Sequence, residues 1–409
     1  MRAGFGKTLL TPPLGVELAG YGYYLQRQAK YVLDPLYARA VLLEDGARRA
    51  LMISCDLLGL SAEVCAQVIG HAGTLGVPAD AVMLVSVHTH TGPCVKYHEG
   101  CGVPDAVYVA TVAARICRAV DAAAGDVREV TGIRRAAAPA QGDYLYNRAS
   151  PDGPVDRMVR GFWLDRGERT PIAMVSAACH GVFRGRIPGI SADFSGAVCR
   201  QMERRGCHSL YLNGLCGDID PWKPTEARME AFAAEIARAF LSSLRPCPAT
   251  LWAARIPFVL RLTPATREDI ADMAGQAARR AGGEETPAGR VALAWKQKML
   301  ESFPNLRTQE SIAAQAVVLG GVPVIAFPFE GFTKTGEQIR QILCRPDALT
   351  LGCAEELLGY LPTRDDIRRG AYAARESAFL YGRLPAAPGE AERLGEEMGR
   401  ALARCLKGV

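Results

Sequence analysis

The chain has no run of about 18 apolar residues, so no spanning helix is expected. Its first residues, "MRAGFGKTLLTPPLG", carry no long apolar stretch and are interrupted by Lys7. They do not read as a secretory signal, and a cytoplasmic location is expected. There are thirteen cysteines but no CxxC pair, which argues against a paired-thiol metal or redox motif. The expectation is reduced thiols serving as small core residues, as at Cys55 in "LMISCDLLGL". Charge of one sign is also missing. With 48 Lys and Arg against 43 Asp and Glu, the net charge is only +5, and the basic residues are scattered among acidic ones. No basic stripe of the kind a nucleic-acid partner requires is present. Histidine is scarce, at six residues, and two of these stand one residue apart.

What is there is a globular composition, 409 residues of which 49% are hydrophobic, ample for a core. Strand-like and helix-like segments alternate. "ARAVLLEDGARRALMISCDLL" reads as a hairpin turned at Glu44-Asp45-Gly46. Ser61 followed by Glu63 reads as the start of a helix that Gly76 closes. Further helices are expected near 104–126, 225–243, 266–281, 287–301 and 388–406, and apolar strands lead into His88, His180 and Glu330. The segment Arg279–Arg290 reads as a surface excursion. No internal repeat and no domain boundary is visible, so residues 1–409 are expected to form a single domain. The fold class is α/β, with mixed β-sheets covered by helices and a metal site at strand C-terminal ends.

The informative stretch is "SVHTHTGP", Ser86–Pro93, after the apolar run "AVMLV". In an extended segment His88 and His90 point to the same side. His180 follows "AMVSAAC" and Glu330 follows "VPVIAFPF". Two histidines and a carboxylate make the ligand set of a catalytic zinc with one position left for water. From spacing alone each histidine is equally readable as a hydrogen-bonded structural residue. His71 and His208 read as structural, and His98 as a loop residue near the motif.

Together, "GFGKTLLTPP", "DPLYARAVLLEDG", "SVHTHTGP", "YNRASP", "ACHGV", "SADFSGAV", "NGLCGDIDP", "PFEGFTKTG" and "LGYLPT" resemble the catalytic domain of the neutral ceramidase family. The resemblance implies a zinc-dependent amidase. It makes His88, His180, Glu330 and Tyr360 the metal ligands. His90 becomes a hydrogen-bonding or proton-transfer group facing the substrate, Arg148 a residue that holds the substrate and polarises its carbonyl, and Tyr372 a substrate-binding tyrosine. Zn²⁺ would bring its water to a pKa of roughly 7, so that zinc-bound hydroxide attacks an N-acyl carbonyl. Asp56, Asp193 and Asp218 are candidates for orienting the ligand histidines, with a helix cap as the competing reading for Asp193.

The chain departs from that family in two ways. Alignment on Gly217-Asp218 places Gly214 where the ceramidases have a serine, and nearby Cys216 reads as a buried thiol with nothing to lower its pKa. The chain also has no room for the family's C-terminal immunoglobulin-like domain, and it shows no amphipathic docking helix. The expected partner is therefore a small N-acyl substrate, less apolar or shorter than ceramide. Ester or lactone hydrolysis at the same zinc, and a non-catalytic binding role, are the alternatives.

Overall fold

The computed structural model describes residues 1–23 and 26–406. Three β-sheets share one connectivity. In the first, β1 (Arg2–Leu9) lies antiparallel to β2 (Tyr37–Asp45), and β2 forms a hairpin with β3 (Arg48–Cys55). Helix α1 (Ala62–Thr74) then crosses over to β4 (Val82–Ser86), which runs parallel to β3. Helix α2 (Ala106–Gly125) covers this sheet and leads into the second one. There the same order recurs. Strand β5 (Gly132–Pro139) precedes the hairpin β6 (Met158–Arg166) and β7 (Arg169–Ala177). Helix α3 (Asp193–Glu203) follows, and then the parallel strand β8 (His208–Asn213).

Helix α4 (Glu226–Ser242) covers the second sheet. The third sheet begins with β9 (Leu251–Arg261) and then inserts two helices, α5 (Arg267–Arg280) and α6 (Pro287–Glu301). Strands β10 (Gln309–Leu319) and β11 (Val322–Ala326) form its hairpin, α7 (Thr333–Leu343) crosses over, and β12 (Leu349–Leu351) runs parallel to β11. The C-terminal helix α8 (Glu390–Leu406) packs on α7. The mixed α/β class is as expected, but the threefold recurrence of strand, hairpin, helix and parallel strand is invisible in the sequence. The three copies share connectivity and not residues.

Local chemistry explains the elements. Ser61 caps α1 by accepting from the Val64 amide, and Asp105 caps α2 by accepting from Tyr108. Thr266 and Asp269 form a reciprocal capping box on α5. The segment read as an excursion is a turn between α5 and α6, closed by Thr286 capping α6. Gly4 and Gly6 on β1 let α2 approach closely. A Cβ on either would lie 2.0 Å from a carbonyl oxygen of α2, Ala123 O and Ala119 O respectively. His71 pairs with Asp121 on the surface, and His208 stacks on Phe5, as expected of structural histidines.

The parallel edge strands bring the sheets together. Val85 bridges to Ala354 and Gly214 to Leu351, the Ser86 amide donates to Cys353 O, and the Gly352 amide donates to Asn213 O. The C-terminal ends of β4, β8 and β12 therefore converge. The segments leaving β4, β7 and β11 carry His88, His180 and Glu330 to one place. Among the described residues no helix is long and apolar enough to cross a membrane.

Candidate metal and substrate site

His88 is reached by a turn, not by an extended strand. β4 ends at Ser86, the His88 amide donates to Leu57 O at 2.9 Å, and the residue adopts φ 63°. A left-handed backbone is uncommon outside glycine and is held here by buried surroundings. The expectation that an extended strand aligns His88 with His90 is thus corrected. The rings meet at 4.9 Å because the chain turns.

The tautomers of the histidines follow from their partners. His88 Nδ1 faces Leu58 O at 2.9 Å and His180 Nδ1 faces Cys216 O at 2.6 Å. A carbonyl only accepts, so both Nδ1 atoms carry hydrogen, and Nε2 is the atom that each ring can offer to a metal in its neutral form. Those nitrogens lie 3.1 Å and 3.0 Å from the same atom, Glu330 Oε2. Lone pairs gathered at this separation call for a positive charge among them, either a proton on an imidazole or a metal ion. His180 is raised to about 10 although burial and Arg148 oppose it, through Cys216 and the bond to Glu330. Glu330 lies well below the carboxylate range although burial opposes that, because His88 and His180 stand against it. All three side chains are 1% exposed or less. This donor set fits a zinc ion.

Tyr360 sits opposite Glu330 in a short parallel pair, Glu330–Gly331 with Tyr360–Leu361. Its hydroxyl lies 3.3 Å from His180 Nε2 and accepts from Arg148 Nη2 at 2.7 Å. Arg148 also donates to Gly217 O through Nε at 3.1 Å and Nη2 at 3.0 Å, and its Nη1 pairs with Asp220 at 3.4 Å.

His88, His90 and His180 offer nitrogens that all lie within 4.8 Å of one another, which makes a three-histidine group the competing metal set. Hydrogen bonding separates His90 from the other two. Its Nδ1 accepts the Tyr21 amide at 3.2 Å, so the neutral ring carries its hydrogen on Nε2, the atom that faces His88 Nε2 at 3.3 Å. A protonated nitrogen is a donor and not a ligand. Burial, with His88 and His180 adding to it, holds His90 well below the usual histidine range and hence neutral. Gly20 makes this placement possible, because a Cβ there would lie 2.4 Å from His90 Nδ1.

The orienting carboxylates expected from the sequence do other work. Asp56 binds Arg39 and the Tyr37 amide. Asp193 accepts from the Phe183, Arg184 and Phe194 amides and so shapes the loop after His180. Asp218 accepts from Thr333 and Asn147, tying the Glu330 segment to that of Arg148. None of the three bonds a histidine; backbone carbonyls orient the rings of His88 and His180. Gly214 packs against Ala178, with no room for a Cβ. Cys216 is buried as expected, but the expectation that nothing lowers its pKa fails: Cys353, then His180 and His88, hold its thiol well below the usual value.

Sequence reasoning missed Tyr381, whose hydroxyl donates to Glu330 Oε1. It also missed Tyr21 and Asp220, which with His98 and Tyr372 line a cavity of about 500 Å³ over the histidines. Nothing local marks Tyr381. Asp220 was readable only as part of "GDIDP". A larger open groove of about 730 Å³, beside Arg255 and Arg307, lies away from these residues, and Arg255 there is paired with Glu355.

No family model matches the sequence. No curated protein matches it either. Among solved structures the chain is similar to neutral ceramidase from Pseudomonas aeruginosa, with a TM-score of 0.74 at 18% identity, over 98% of this chain and 74% of that one. It is also similar to a "ceramidase complexed with C2", with a TM-score of 0.75 at 16% identity, over 100% of this chain and 75% of that one. At such low identity the likeness establishes architecture: the chain has the mixed α/β fold of the neutral ceramidases.

Proposed function

We propose that this protein is a zinc-dependent hydrolase of the neutral ceramidase-like family, with residues 1–409 as one catalytic unit. Its reaction is cleavage of an amide bond in an N-acyl substrate smaller or more polar than ceramide. One observation carries the reading: two imidazole Nε2 atoms and a carboxylate oxygen converge beneath a cavity. His88, His180, Glu330 and Tyr360 would hold the zinc. When bound, the metal supplies Lewis acidity and a water nucleophile at neutral pH.

The rest falls to the chain's own side chains. His90 offers a fixed Nε2–H to the oxygen on which charge develops, a donor that costs no reorganisation. Since its Nδ1 is already occupied by the Tyr21 amide, it serves better as a hydrogen-bond donor than as a carrier of protons. Arg148 is held by Gly217 O, Tyr360 and Asp220, which keeps its positive charge beside the same cavity. Tyr372 reaches the cavity beside Gly22, where a Cβ would lie 3.4 Å from its hydroxyl.

The test is metal analysis of the purified protein and of His88→Ala and His180→Ala, beside hydrolysis of matched short N-acyl amides, esters and lactones. The expected result is zinc in the wild type, zinc lost from both variants, and amide cleavage that a chelator abolishes. Unchanged zinc in both variants removes the metal assignment. Cleavage of esters or lactones alone replaces the amidase reading.

A further inference from the structure

Three buried polar atoms in the cavity wall find no hydrogen-bond partner among the described residues: Tyr21 Oη, His98 Nε2 and Asp220 Oδ1. Native proteins leave few such atoms bare, because a buried donor or acceptor without a partner forfeits its hydration and gains nothing in return. Here the three residues, far apart in sequence, line one cavity.

Each adjoins the proposed metal centre through a different residue. The Tyr21 ring lies 4.8 Å from the His90 ring. His98 is 4% exposed and packs edge-on to Tyr381 at 4.5 Å, the tyrosine that donates to Glu330. Asp220 stands in the short strand Ile219–Pro221, directly opposite Tyr146. Its Oδ1 makes no hydrogen bond but is ion-paired with Arg148 Nη1 at 3.4 Å, and His180 Nδ1 lies at 3.8 Å.

An alkyl or long acyl chain offers none of the three atoms a hydrogen bond, so it leaves the cost of their burial in place. A ligand bearing hydroxyl groups satisfies them together. A carboxylate oxygen only accepts, so Asp220 calls for an O–H or N–H donor, while the phenol and the imidazole can each donate or accept. The tyrosine rings around the cavity supply flat apolar surface for the carbon skeleton between those groups. A cavity of about 500 Å³ suits a compact molecule. We propose that Tyr21, His98 and Asp220 form the recognition set for a compact N-acyl amine carrying several hydroxyl groups, the chemical class of N-acylated amino sugars. This rests on the hydrolase reading for the reaction but on the three atoms without a hydrogen bond for the recognition.

The experiment uses the zinc-loaded full chain. N-acetylglucosamine is the hydroxylated probe, and N-acetylhexylamine and a long-chain ceramide are the apolar ones. Turnover and calorimetric binding are measured separately, on the wild type and on Tyr21→Phe, His98→Phe and Asp220→Asn, with zinc content and thermal unfolding as controls for folding. The expected result is a preference for N-acetylglucosamine, with each variant eroding the ratio of its kcat/KM to that of N-acetylhexylamine by about three- to tenfold, chiefly through KM. Preference for an apolar probe, or a ratio that none of the variants moves, overturns the recognition set and leaves the hydrolase reading standing. If no amide is cleaved the hydrolase reading falls, and binding decides the recognition set. Saturable binding of N-acetylglucosamine weakened by the variants upholds it, and absence of binding overturns it.

Discussion

The three site histidines differ in which nitrogen carries hydrogen, and that assigns their roles. His88 and His180 give Nδ1–H to carbonyls, while His90 takes a backbone N–H at the same atom. Replacing His90 with alanine should therefore leave the zinc in place and lower kcat by about 10²–10³-fold, the usual cost of one preorganised donor. Metal analysis beside steady-state kinetics checks this, and loss of zinc from the variant would make His90 a ligand. Arg148→Lys should also be costly. One guanidinium contacts Gly217 O through two nitrogens while reaching Tyr360 and Asp220, and an ammonium cannot reproduce that planar fork. A drop of at least tenfold in kcat/KM is expected, and turnover at the wild-type level would take Arg148 out of the chemistry. The residue types of this site were readable in "SVHTHTGP" and "YNRASP". The direction of each lone pair was not, because it is decided by carbonyls that distant segments bring up.

At the level of elements, caps, hairpins and amphipathic stripes were legible because they depend on neighbours in sequence. Ser61 and the Glu44-Asp45-Gly46 turn behave as their chemistry requires. What escaped was the way elements are locked to one another. Asp156 joins the second sheet to α7, pairing with Arg160 at 2.9 Å and Arg340 at 3.1 Å. Burial raises its carboxyl, but Arg160 and Arg340 outweigh that and hold it below the ordinary value. A depressed folded-state pKa stabilises the protein above the unfolded-state value near 3.8, and that contribution disappears as pH falls through the lower folded-state value. Asp156→Asn should cost on the order of 3 kcal/mol at neutral pH, since it leaves two largely buried guanidinium groups without their counter-ion. It should also flatten the most acidic limb of the stability curve. Denaturant titrations between pH 2 and 7, spanning the range roughly where carboxylates titrate, check both effects. An unchanged midpoint at neutral pH would mean that α7 is anchored by other contacts.

For the whole molecule, the proposed ligands come from segments that follow strands in all three sheets, so zinc would add a further tie between sheets already joined by packing and a few backbone hydrogen bonds. Its removal should lower the unfolding temperature by several degrees, because a ligand present at a thousand times its Kd stabilises by about 4 kcal/mol. Differential scanning calorimetry before and after chelation, with zinc added back, measures the effect. An unfolding temperature indifferent to zinc would place the metal elsewhere or nowhere. By itself the sequence determined the alternation of strands and helices, the α/β class and the short list of chemical residues, since each depends on periodicity, capping or composition within a short window. Only the tertiary structure decided that β4, β8 and β12 converge and that His88 turns through a left-handed backbone. It alone brought Tyr381 to Glu330 and placed Tyr21, His98 and Asp220, each with a buried polar atom that makes no hydrogen bond, around one cavity. These are contacts between residues tens to hundreds of positions apart, set by how three sheets pack, and no local pattern encodes them.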